Sequence, residues 1–545
     1  MRPVYLSALG IACALGRGKQ AVAKALFQGG SSLIRAEWPL FSGKTVPVAK
    51  VPFELPEVPA ELMALSSRNN KLLKLALDEI LPEIEKSIAK YGSSRVGIVM
   101  ATSTSGMFEK EQTCLHKHRT GDDLNAYHYA QSEISSPSLF ASQYLAVHGP
   151  AYTISTACSS SAKAICAAKR LIAAGICDAV VVGGVDTLCG LTLNGFDSLA
   201  LLSKQVCNPF SKNRDGIMIG EGAAVFLASH DGTCADIELS GCGESSDAYH
   251  ISCPEPDGMG AQAAIVEALC MAGLVPEEVC YINLHGTGTS LNDAMESVSI
   301  NRIFGAKLPC SSTKALTGHV LGASGIIEAA FLWLALSGES HGKIPLPAHV
   351  WDGVADPDLP PINLCGYAEF VSPVNGVYAL MSNSFAFGGS NVSLILKKGN
   401  KAVDCPLDEI LPHRSPMVLI DRVIAYQDDY IHCQVTINGD SPFCENGAVP
   451  SYIAMEYMAQ AIAAWSGLMA KGRGETAKIG FLLGARRLEL QVLEFKKGEV
   501  LDVYGKVQYL DGQMAAFDCW VEVVGARVVH AGINVYQGMG GVDGK

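Results

Sequence analysis

The sequence predicts a layered α/β domain followed by a smaller α+β domain. In residues 1–398, apolar runs such as 95–100 and 178–184 alternate with helical patterns, as the buried strands of a parallel sheet do. Near the C-terminus, an almost wholly apolar helical pattern at 450–469 precedes three strand patterns, which is typical of a helix wrapped by a sheet. A chain of 545 residues is also too long for one hydrophobic core, so two domains are expected.

Composition excludes several classes of function. Hydrophobic residues make up 49% of the chain and charged residues 17%, which indicates a packed globular protein. The formal net charge of −13 argues against nucleic-acid binding. The 18 cysteines are too dilute for a disulfide scaffold, and no zinc-site spacing occurs. No apolar run reaches the roughly 18 residues of a membrane span, so a cytoplasmic protein is expected. The apolar N-terminus is interpreted as a strand at 4–9 that turns at Gly10, rather than as a signal peptide.

Cys158 lies between a strand pattern and a helical pattern that runs from 162 to 174. The unpaired N–H groups at a helix N-terminus favour the thiolate form of cysteine, which is the nucleophile. This position makes Cys158 a candidate acyl carrier. A small buried cysteine without function is the alternative, because free cysteine is commonly buried.

Other polar clusters follow predicted strands. His285 begins the segment 285–289, His319 lies within 312–325, and the segment 383–391 follows the strand at 378–381. Open α/β sheets place their sites at the C-terminal ends of strands, so these clusters are predicted to meet. A predicted helix at 67–90 carries Arg68, Lys71 and Lys74 at helical spacing. These side chains are a hypothetical basic docking face, with an ordinary solvated helix face as the alternative.

Residues 1–398 resemble the β-ketoacyl-acyl carrier protein synthases. The matching motifs are Thr156 to Ser160, Asn208 to Gly216, His285 to Thr289, Lys314 with Gly318 and His319, and Asn383 to Asn391. The resemblance implies a duplicated thiolase-like domain with α-β-α-β-α layers. It also implies that Cys158 takes an acyl chain as a thioester, while His285 and His319 hold a malonyl thioester as carbon dioxide leaves.

The same resemblance assigns supporting roles. Lys314 and Glu328 look like the family's charge pair, and Phe387 matches its gating phenylalanine, whose N–H would join that of Cys158 in an oxyanion hole. No cofactor or metal is implied, because the substrates travel on the phosphopantetheine arm of acyl carrier protein. Thiolases have a cysteine where this chain has His319, and chain-length-factor subunits lack the nucleophile. Ala386 replaces a glycine of many synthases, which is expected to stiffen the gate.

Residues 405–537 resemble the hotdog-fold β-hydroxyacyl-acyl carrier protein dehydratases. The similarity depends on the segments 411–414, 416–422 and 455–460. One departure, the absence of the usual histidine base, resembles the divergent branch linked to aryl polyene and related polyene pathways. Glu456 matches the usual acid, but Pro442 stands where these enzymes carry their histidine base. His413 is the predicted substitute, and His432 and His530 are weaker candidates in strand patterns.

The expected protein is therefore bifunctional, with a linker at 399–404 and a tail at 538–545. A separate ketoreductase would act between condensation and dehydration. Three alternatives stay open: a synthase whose hotdog domain only dimerises or docks, a decarboxylase or partner subunit without condensation, and a thioesterase in the second domain. A homodimer is expected from both resemblances, and a heterodimer with a second synthase remains an alternative.

Overall fold

The computed structural model describes residues 3–28, 35–122, 127–231, 237–338, 343–374, 377–398, 405–427, 429–439, 441–472, 475, 480–523 and 526–537. The chain forms two compact units, Met1–Gly399 and Asn400–Lys545. The predicted linker at 399–404 and the predicted tail at 538–545 lie outside the described residues. Within the described part of the chain, no helix has the length and apolar character needed to cross a membrane.

The strands of the first unit form one large mixed sheet and two small ones. They are β1 (Tyr5–Cys13), β2 (Gly16–Arg17), β3 (Arg35–Pro39), β4 (Thr45–Ala49), β5 (Val96–Ala101), β6 (Ala151–Ile154), β7 (Ala179–Asp186), β8 (Ile219–Gly220), β9 (Gly222–Ser229), β10 (Ile237–Ser246), β11 (Val279–Asn283), β12 (Pro309–Ser311), β13 (Ile344–Pro345), β14 (Asn363–Leu364), β15 (Phe370–Val371), β16 (Ala379–Ala386) and β17 (Ser390–Lys398).

The large sheet contains the same arrangement twice. In the N-terminal half, β6, β5 and β7 are parallel to one another. Strand β9 then pairs antiparallel with β7, and β1 pairs antiparallel with β9. In the C-terminal half, β12, β11 and β16 are parallel, and β17 and β10 follow antiparallel. The two halves join where β1 pairs with β10. This repeat is the predicted duplication.

Helices cover both halves and also separate them. Helix α6 packs on β5 and β7, α11 packs on β16 and β17, and the two helices pack on each other, while α2 and α8 cover the outer faces. Close packing in the middle layer depends on small residues, because a Cβ on Gly325 would lie 3.0 Å from the Cβ of Ala162. The helices are α1 (Lys19–Gln28), α2 (Arg68–Glu79), α3 (Leu81–Tyr91), α4 (Met107–Thr120), α5 (Ser136–Tyr144), α6 (Ser160–Ala173), α7 (Gly190–Ser198), α8 (Met259–Ala272), α9 (Ser290–Phe304), α10 (Lys314–Thr317) and α11 (Ser324–Ser337).

Two predicted elements differ from the structure. The first strand does not turn at Gly10 but continues to Cys13, and its glycine has a packing role: a Cβ there would lie 1.9 Å from the carbonyl oxygen of Ala76 on α2. The helix predicted at 67–90 is two helices, because α2 ends before Ile80 and α3 restarts with Pro82 in its first turn. Proline has no N–H to continue the hydrogen bonds of α2.

The second unit is an antiparallel sheet wrapped on a long helix. The strand order is β18, β19, β23, β24, β25, β21, and α13 packs on β19, β23 and β24. The elements are α12 (Leu407–Ile410), β18 (Arg422–Gln427), β19 (Tyr430–Thr436), β20 (Ala448–Pro450), α13 (Ala454–Gly472), β21 (Gly480–Leu490), β22 (Glu494–Lys496), β23 (Val500–Asp511), β24 (Met514–Val523) and β25 (Ala526–Gln537).

The sequence misplaced some boundaries in this unit. The strand expected at 418–424 begins only at Arg422, because the side chain of Gln460 takes the Met417 carbonyl and the Leu419 N–H that a partner strand would need. Strand β21 was not predicted at all. It lies at the edge of the sheet, and its largely exposed residues do not alternate as a half-buried strand does.

Candidate active sites

Cys158 sits in a tight turn between β6 and α6. Ala157 has a left-handed conformation at φ 54°, and α6 begins two residues after the cysteine. The Thr156 N–H donates to the Ser160 hydroxyl at 2.8 Å, which ties the turn to the helix. The turn therefore presents the Cys158 sulfur to the interior, where the residue is 7% exposed.

The expected thiolate is not supported. Burial raises the pKa of the Cys158 thiol to about 11, and the charge of Lys314 and the N–H groups of Phe387 and Cys158 only partly oppose that effect. Removing water disfavours the charged form more than the helix end favours it. Helix-end N–H groups do favour the thiolate, but burial outweighs them, so a base must take the thiol proton. His319 is placed to do so, since its Nε2 lies 3.0 Å from the sulfur.

The two predicted histidines meet beside the sulfur. The rings of His285 and His319 lie 5.4 Å apart at 84°, and one donor atom from each of Cys158, His285 and His319 falls within 4.8 Å of the others. Burial, and next the charge of Lys314, hold the pKa of both imidazoles well below the usual range. Both rings are therefore neutral near pH 7. Among the described residues this trio is the one group close enough to share a metal ion.

The two imidazoles differ in the hydrogen-bond partners of their Nδ1 atoms. The Nδ1 of His319 is 2.8 Å from the Ser324 hydroxyl, which can either donate or accept, so both neutral tautomers of the ring are served. For His285, Nδ1 is buried and has no hydrogen-bond partner among the described residues. A buried unpartnered ring nitrogen is costly unless a substrate group pairs with it.

Two carboxylates that the sequence did not indicate hold the His285 loop. Glu296 accepts the N–H groups of His285 and Gly286 at 2.8 and 2.7 Å, and burial raises the pKa of its carboxyl to about 8. Asp293 accepts the N–H groups of Phe210 and Gly288 at 2.8 and 3.2 Å, which joins the 208–216 loop to the site. No motif marks these two residues, and the only trace in the sequence is the high share of polar residues in α9, several of which are buried in the structure.

Lys314 and Glu328 form the expected pair behind the histidines. Their Nζ and Oε1 atoms are 2.5 Å apart, and the two side chains are only 1% and 4% exposed. Such a pair keeps a fixed positive charge near both imidazoles, and that charge opposes their protonation.

Phe387 lies at the wall of a cavity of about 100 Å³ that reaches Cys158, His285 and His319. Its ring is 6.0 Å from that of Phe196, and Gly388 follows with a left-handed φ of 78°. Ala386 adopts an extended conformation at φ −98°, which any residue can adopt. Alanine in place of glycine therefore introduces no backbone strain at this gate.

The hypothetical docking face is not a free basic surface. Arg68 pairs with the buried Glu221, Lys71 pairs with Glu57, and Lys74 pairs with Asp78. The side chains of Arg68, Lys71 and Lys74 are 24%, 24% and 16% exposed. The cations pair within their own unit, so the structure shows neither a free docking face nor the ordinary solvated helix face given as the alternative.

In the second unit, His413 and Glu456 face each other. The His413 Nε2 is 3.9 Å from the Glu456 Oε1, and the two side chains are 29% and 36% exposed. Both line a cavity of about 440 Å³ beside α13. Gln460 donates to the same Glu456 oxygen at 3.1 Å while it braces the chain at Met417 and Leu419.

The two weaker candidates, His432 and His530, pair with aspartates outside the cavity. His432 lies 2.9 Å from Asp502 and stacks on Tyr504, and His530 lies 2.6 Å from Asp518. Neither histidine lines the cavity that contains Glu456. The geometry therefore brings together His413 and Glu456, and leaves the other two candidates in structural pairs.

Comparisons with known protein families divide the chain in the same way. Residues 1–231 match the β-ketoacyl synthase N-terminal domain, and residues 237–350 match its C-terminal domain. Residues 405–541 match the ApeP-like family, described as ApeP dehydratase.

Individual relatives support the first match. The mitochondrial 3-oxoacyl-[acyl-carrier-protein] synthase of Arabidopsis thaliana is 37% identical over 268 residues, which is 45% of this chain and 56% of that protein. The 3-oxoacyl-[acyl-carrier-protein] synthase 2 of Rhizobium meliloti is 35% identical over 46% of this chain and 62% of its own length. The synthase 2 of Synechocystis is 32% identical over 59% of this chain and 80% of its own length. The alignments thus span little more than half of the first two relatives.

A solved structure gives a longer match. A chain of the Xenorhabdus doucetiae complex between the ketosynthase ApeO and its chain length factor ApeC is 46% identical, with a TM-score of 0.68. The match covers 73% of this chain and 98% of that chain. A β-ketoacyl synthase from Burkholderia phymatum follows with 26% identity and a TM-score of 0.62, again over 73% of this chain and all of the other.

Proposed function

The chain belongs to the β-ketoacyl synthase family, and we propose that it condenses an acyl thioester with malonyl-acyl carrier protein in fatty acid or polyene biosynthesis. The observation that carries the proposal is the 3.0 Å approach of the His319 Nε2 to the Cys158 sulfur, with His285 beside them. The substrates arrive on the phosphopantetheine arm of the carrier, and the chemistry needs no other cofactor.

The first step transfers the acyl group to Cys158. In the tautomer with its proton on Nδ1, donated to Ser324, His319 takes the thiol proton at Nε2. The sulfur then attacks the acyl carbonyl, and the N–H groups of Cys158 and Phe387 stabilise the oxyanion. As the intermediate collapses, the carrier's pantetheine sulfur leaves and takes the proton from His319.

The second step uses both imidazoles as neutral donors. In its other neutral tautomer, His319 accepts the Ser324 hydroxyl at Nδ1 and carries its proton on Nε2. This Nε2–H and an N–H of His285 hold the carbonyl oxygen of the malonyl thioester, so the electron pair released as carbon dioxide leaves is stabilised as an enolate. The enolate carbon attacks the acyl carbon on Cys158, the carbon–sulfur bond breaks, and the sulfur leaves as a thiolate that takes one proton from solvent water. The charge of Lys314 favours this role, because it opposes the binding of a second proton and so keeps both rings neutral with one N–H each.

Intact-protein mass spectrometry tests the condensation. Acyl-carrier protein should transfer its acyl group to the wild type and not to a folded Cys158→Ala variant, and malonyl-carrier protein should then yield a β-ketoacyl product. Consumption of malonyl-carrier protein by a wild type that never becomes acylated would instead indicate a decarboxylase.

We also propose that the second unit dehydrates 3-hydroxyacyl-carrier protein. His413 would remove the α-proton and Glu456 would protonate the departing hydroxyl, which leaves as water and creates the double bond. Passage of the proton from His413 to Glu456 resets the pair. Their 3.9 Å separation in one cavity supports this assignment.

Water loss, followed by mass spectrometry on 3-hydroxyacyl-carrier protein, tests the dehydration. The wild type should lose water, while His413→Ala and Glu456→Ala should stop the reaction and remain folded. A wild type inactive on several chain lengths would favour a non-catalytic dimerisation or docking module. Hydrolysis of the thioester would indicate a thioesterase.

The proposed partners follow from the chemistry. Condensation yields a ketone and dehydration needs a hydroxyl, so a separate ketoreductase must act between the two units. Exposed apolar residues of the second unit, including Phe481, Leu482 and Leu510, lie at the rim of its cavity and support a homodimer that covers them. The ApeO relative was solved with a chain length factor, which keeps a heterodimer as the alternative. A cytoplasmic location is part of the same proposal.

A further inference from the structure

His349 is a buried histidine that neither proposed reaction uses. It lies between β13 and β14, and its own N–H donates to the Cys365 carbonyl at 2.8 Å, which fixes the base of the side chain. The ring joins two loops of the first unit. Its Nδ1 is 3.0 Å from the backbone nitrogen of Ser312, and its Nε2 is 3.1 Å from the carbonyl oxygen of Pro209.

These two partners determine the tautomer of the His349 ring. A backbone N–H can only donate and a carbonyl oxygen can only accept, so Nδ1 is the acceptor and Nε2 carries the proton. Burial lowers the pKa of the imidazole to about 4, so the ring is neutral near pH 7 and keeps this arrangement. The side chain is therefore a bridge with one fixed acceptor and one fixed donor.

Ser312 extends this bridge to the His285 loop. Its hydroxyl donates to the Gly286 carbonyl at 2.6 Å. Gly286 has a left-handed φ of 35°, and a Cβ there would lie 2.5 Å from the Cβ of Ser312, so the backbone that follows His285 lies directly against the serine. Glu296 holds the N–H groups of the same two residues. The position of His285 thus depends on where Ser312 lies.

The contact with Pro209 holds the other neighbour of Gly286. Phe210 follows this proline, has a left-handed φ of 61°, and donates its N–H to Asp293 at 2.8 Å. A residue other than glycine keeps this conformation only when its surroundings hold it. A Cβ on Gly286 would lie 2.8 Å from the Phe210 ring, which is 6.1 Å from the ring of His349. His349 therefore lies against both residues that enclose Gly286.

We propose that His349 is a positioning residue for condensation and holds His285 in place. It acts through Ser312 and the hydrogen bond of that serine to the His285 loop. The inference rests on the condensation proposed above. In that reaction His285 acts only when the malonyl thioester loses carbon dioxide, whereas acyl transfer to Cys158 uses His319. A displaced His285 should therefore slow the second step and spare the first.

Two amide substitutions separate the two contacts of the ring. The asparagine oxygen is attached to Cγ, as Nδ1 is, so His349→Asn keeps an acceptor for the Ser312 N–H. The glutamine nitrogen is one bond further out, as Nε2 is, so His349→Gln keeps the donor to the Pro209 carbonyl and leaves the Ser312 N–H without its acceptor. Each variant replaces the ring by an uncharged amide, so the two are matched controls for each other.

Intact-protein mass spectrometry on the full chain times both steps. Acylation of Cys158 without malonyl-carrier protein should stay within about twofold of the wild-type rate in both variants. Formation of β-ketoacyl product from the acylated enzyme should fall at least about tenfold in His349→Gln and less than about threefold in His349→Asn. A purely structural residue would slow both steps together. Equal losses in both steps, equal losses in both variants, or an unchanged His349→Gln would overturn the inference.

Ser312→Ala tests the same connection without changing the ring of His349. It removes the hydroxyl that donates to the Gly286 carbonyl and keeps the backbone N–H that donates to Nδ1. Condensation should again fall at least about tenfold while acylation stays within about twofold. Thermal unfolding of all three variants checks that they fold, and loss of acylation in a folded Ser312→Ala would contradict the inference.

Hydrogen exchange gives a readout that does not need turnover. The amides of His285 and Gly286, which donate to Glu296, should exchange at least about tenfold faster in His349→Gln than in the wild type or in His349→Asn. If the wild type forms no β-ketoacyl product but exchange follows this order, the condensation proposal fails and the positioning of His285 stands. If exchange is equal in all three proteins, the inference is wrong.

Discussion

The two candidate sites both use histidine, but they differ in how deeply their side chains are buried. In the first unit, Cys158, His285 and His319 are all buried, and burial moves the pKa of each away from its usual value. In the second unit, His413 and Glu456 remain about one third exposed and line the cavity of about 440 Å³ beside α13. The first site is thus enclosed by its own unit, whereas the described residues of the second unit leave its pair accessible to solvent.

The largest expected effect separates the two sites completely. Cys158→Ala should abolish acyl transfer and condensation, by at least about 10³-fold, because no other group there forms the thioester. It should leave water loss from 3-hydroxyacyl-carrier protein unchanged. Glu456→Gln should do the reverse. Both activities are measured on the same preparations by mass spectrometry, and loss of both in either variant would contradict two independent sites.

The buried site should also show an unusual pH dependence. Burial lowers the pKa of His285 and His319, so each imidazole stays neutral as the pH falls through the range where histidine normally becomes charged. Burial raises the pKa of the Cys158 thiol to about 11, so the thiol stays protonated as the pH rises. Single-turnover acylation should therefore be flat from about pH 6 to about pH 9.

A step in the acylation rate near the usual histidine pKa would contradict this neutral thiol–imidazole pair. Lys314→Met with Glu328→Met is the matched variant, because it removes both buried charges together and avoids leaving one unpaired. Without the cation, protonation of the imidazoles becomes easier. The acidic limb of the profile should then move to higher pH.

The dehydration rate of the second site should depend on Gln460, which holds Glu456 in position. Gln460 is fully buried and donates to both Glu456 and the Met417 carbonyl, while its oxygen accepts the Leu419 N–H. Gln460→Glu keeps the acceptor and removes the donors. Dehydration should fall about tenfold through kcat, because the acid is no longer held at one position. Condensation in the same chain is the control, and an unchanged kcat would show that Glu456 needs no brace.

The comparison also separates what a sequence can and cannot predict. Strand and helix periodicity predicted a layered α/β domain and a second domain in which a sheet wraps a helix, because periodicity is a local property. The resemblance of the motifs to known families implied the thiolase-like and hotdog folds, and both expectations are confirmed. The meeting of Cys158 with His319 does not follow from neighbouring strand ends, because β6 and β12 lie near opposite ends of the large sheet. The packing of α6 on α11 brings the two halves together. The raised pKa of the thiol was missed, because burial depends on the whole layer of packed helices.

Other features of the two sites could not be predicted, because they depend on distances between side chains in the folded chain. Glu296 lies on α9, eleven residues after His285, and accepts the His285 N–H. No sequence motif marks this residue. The separation of His413 from Glu456 depends on how the segment before β18 folds back on α13. Sequence could name these two residues but not their contact, since the packing of Gln460 against residues 417–419 determines it.

The smallest expected effect comes from the surface pair of Lys71 and Glu57, in contrast with the buried pair of Lys314 and Glu328. Lys71 pairs with Glu57, whose side chain is 76% exposed, and exposed pairs contribute at most about 1 kcal/mol. Lys71→Glu should therefore change the KM for acyl-carrier protein by less than about threefold, and the KM for a small acyl thioester equally little. Steady-state acylation with both donors measures the two values, and Lys74→Glu tests the neighbouring pair with Asp78. A tenfold rise for the carrier alone would restore the basic docking face, because only a partner protein can sense a charge that the small donor does not reach.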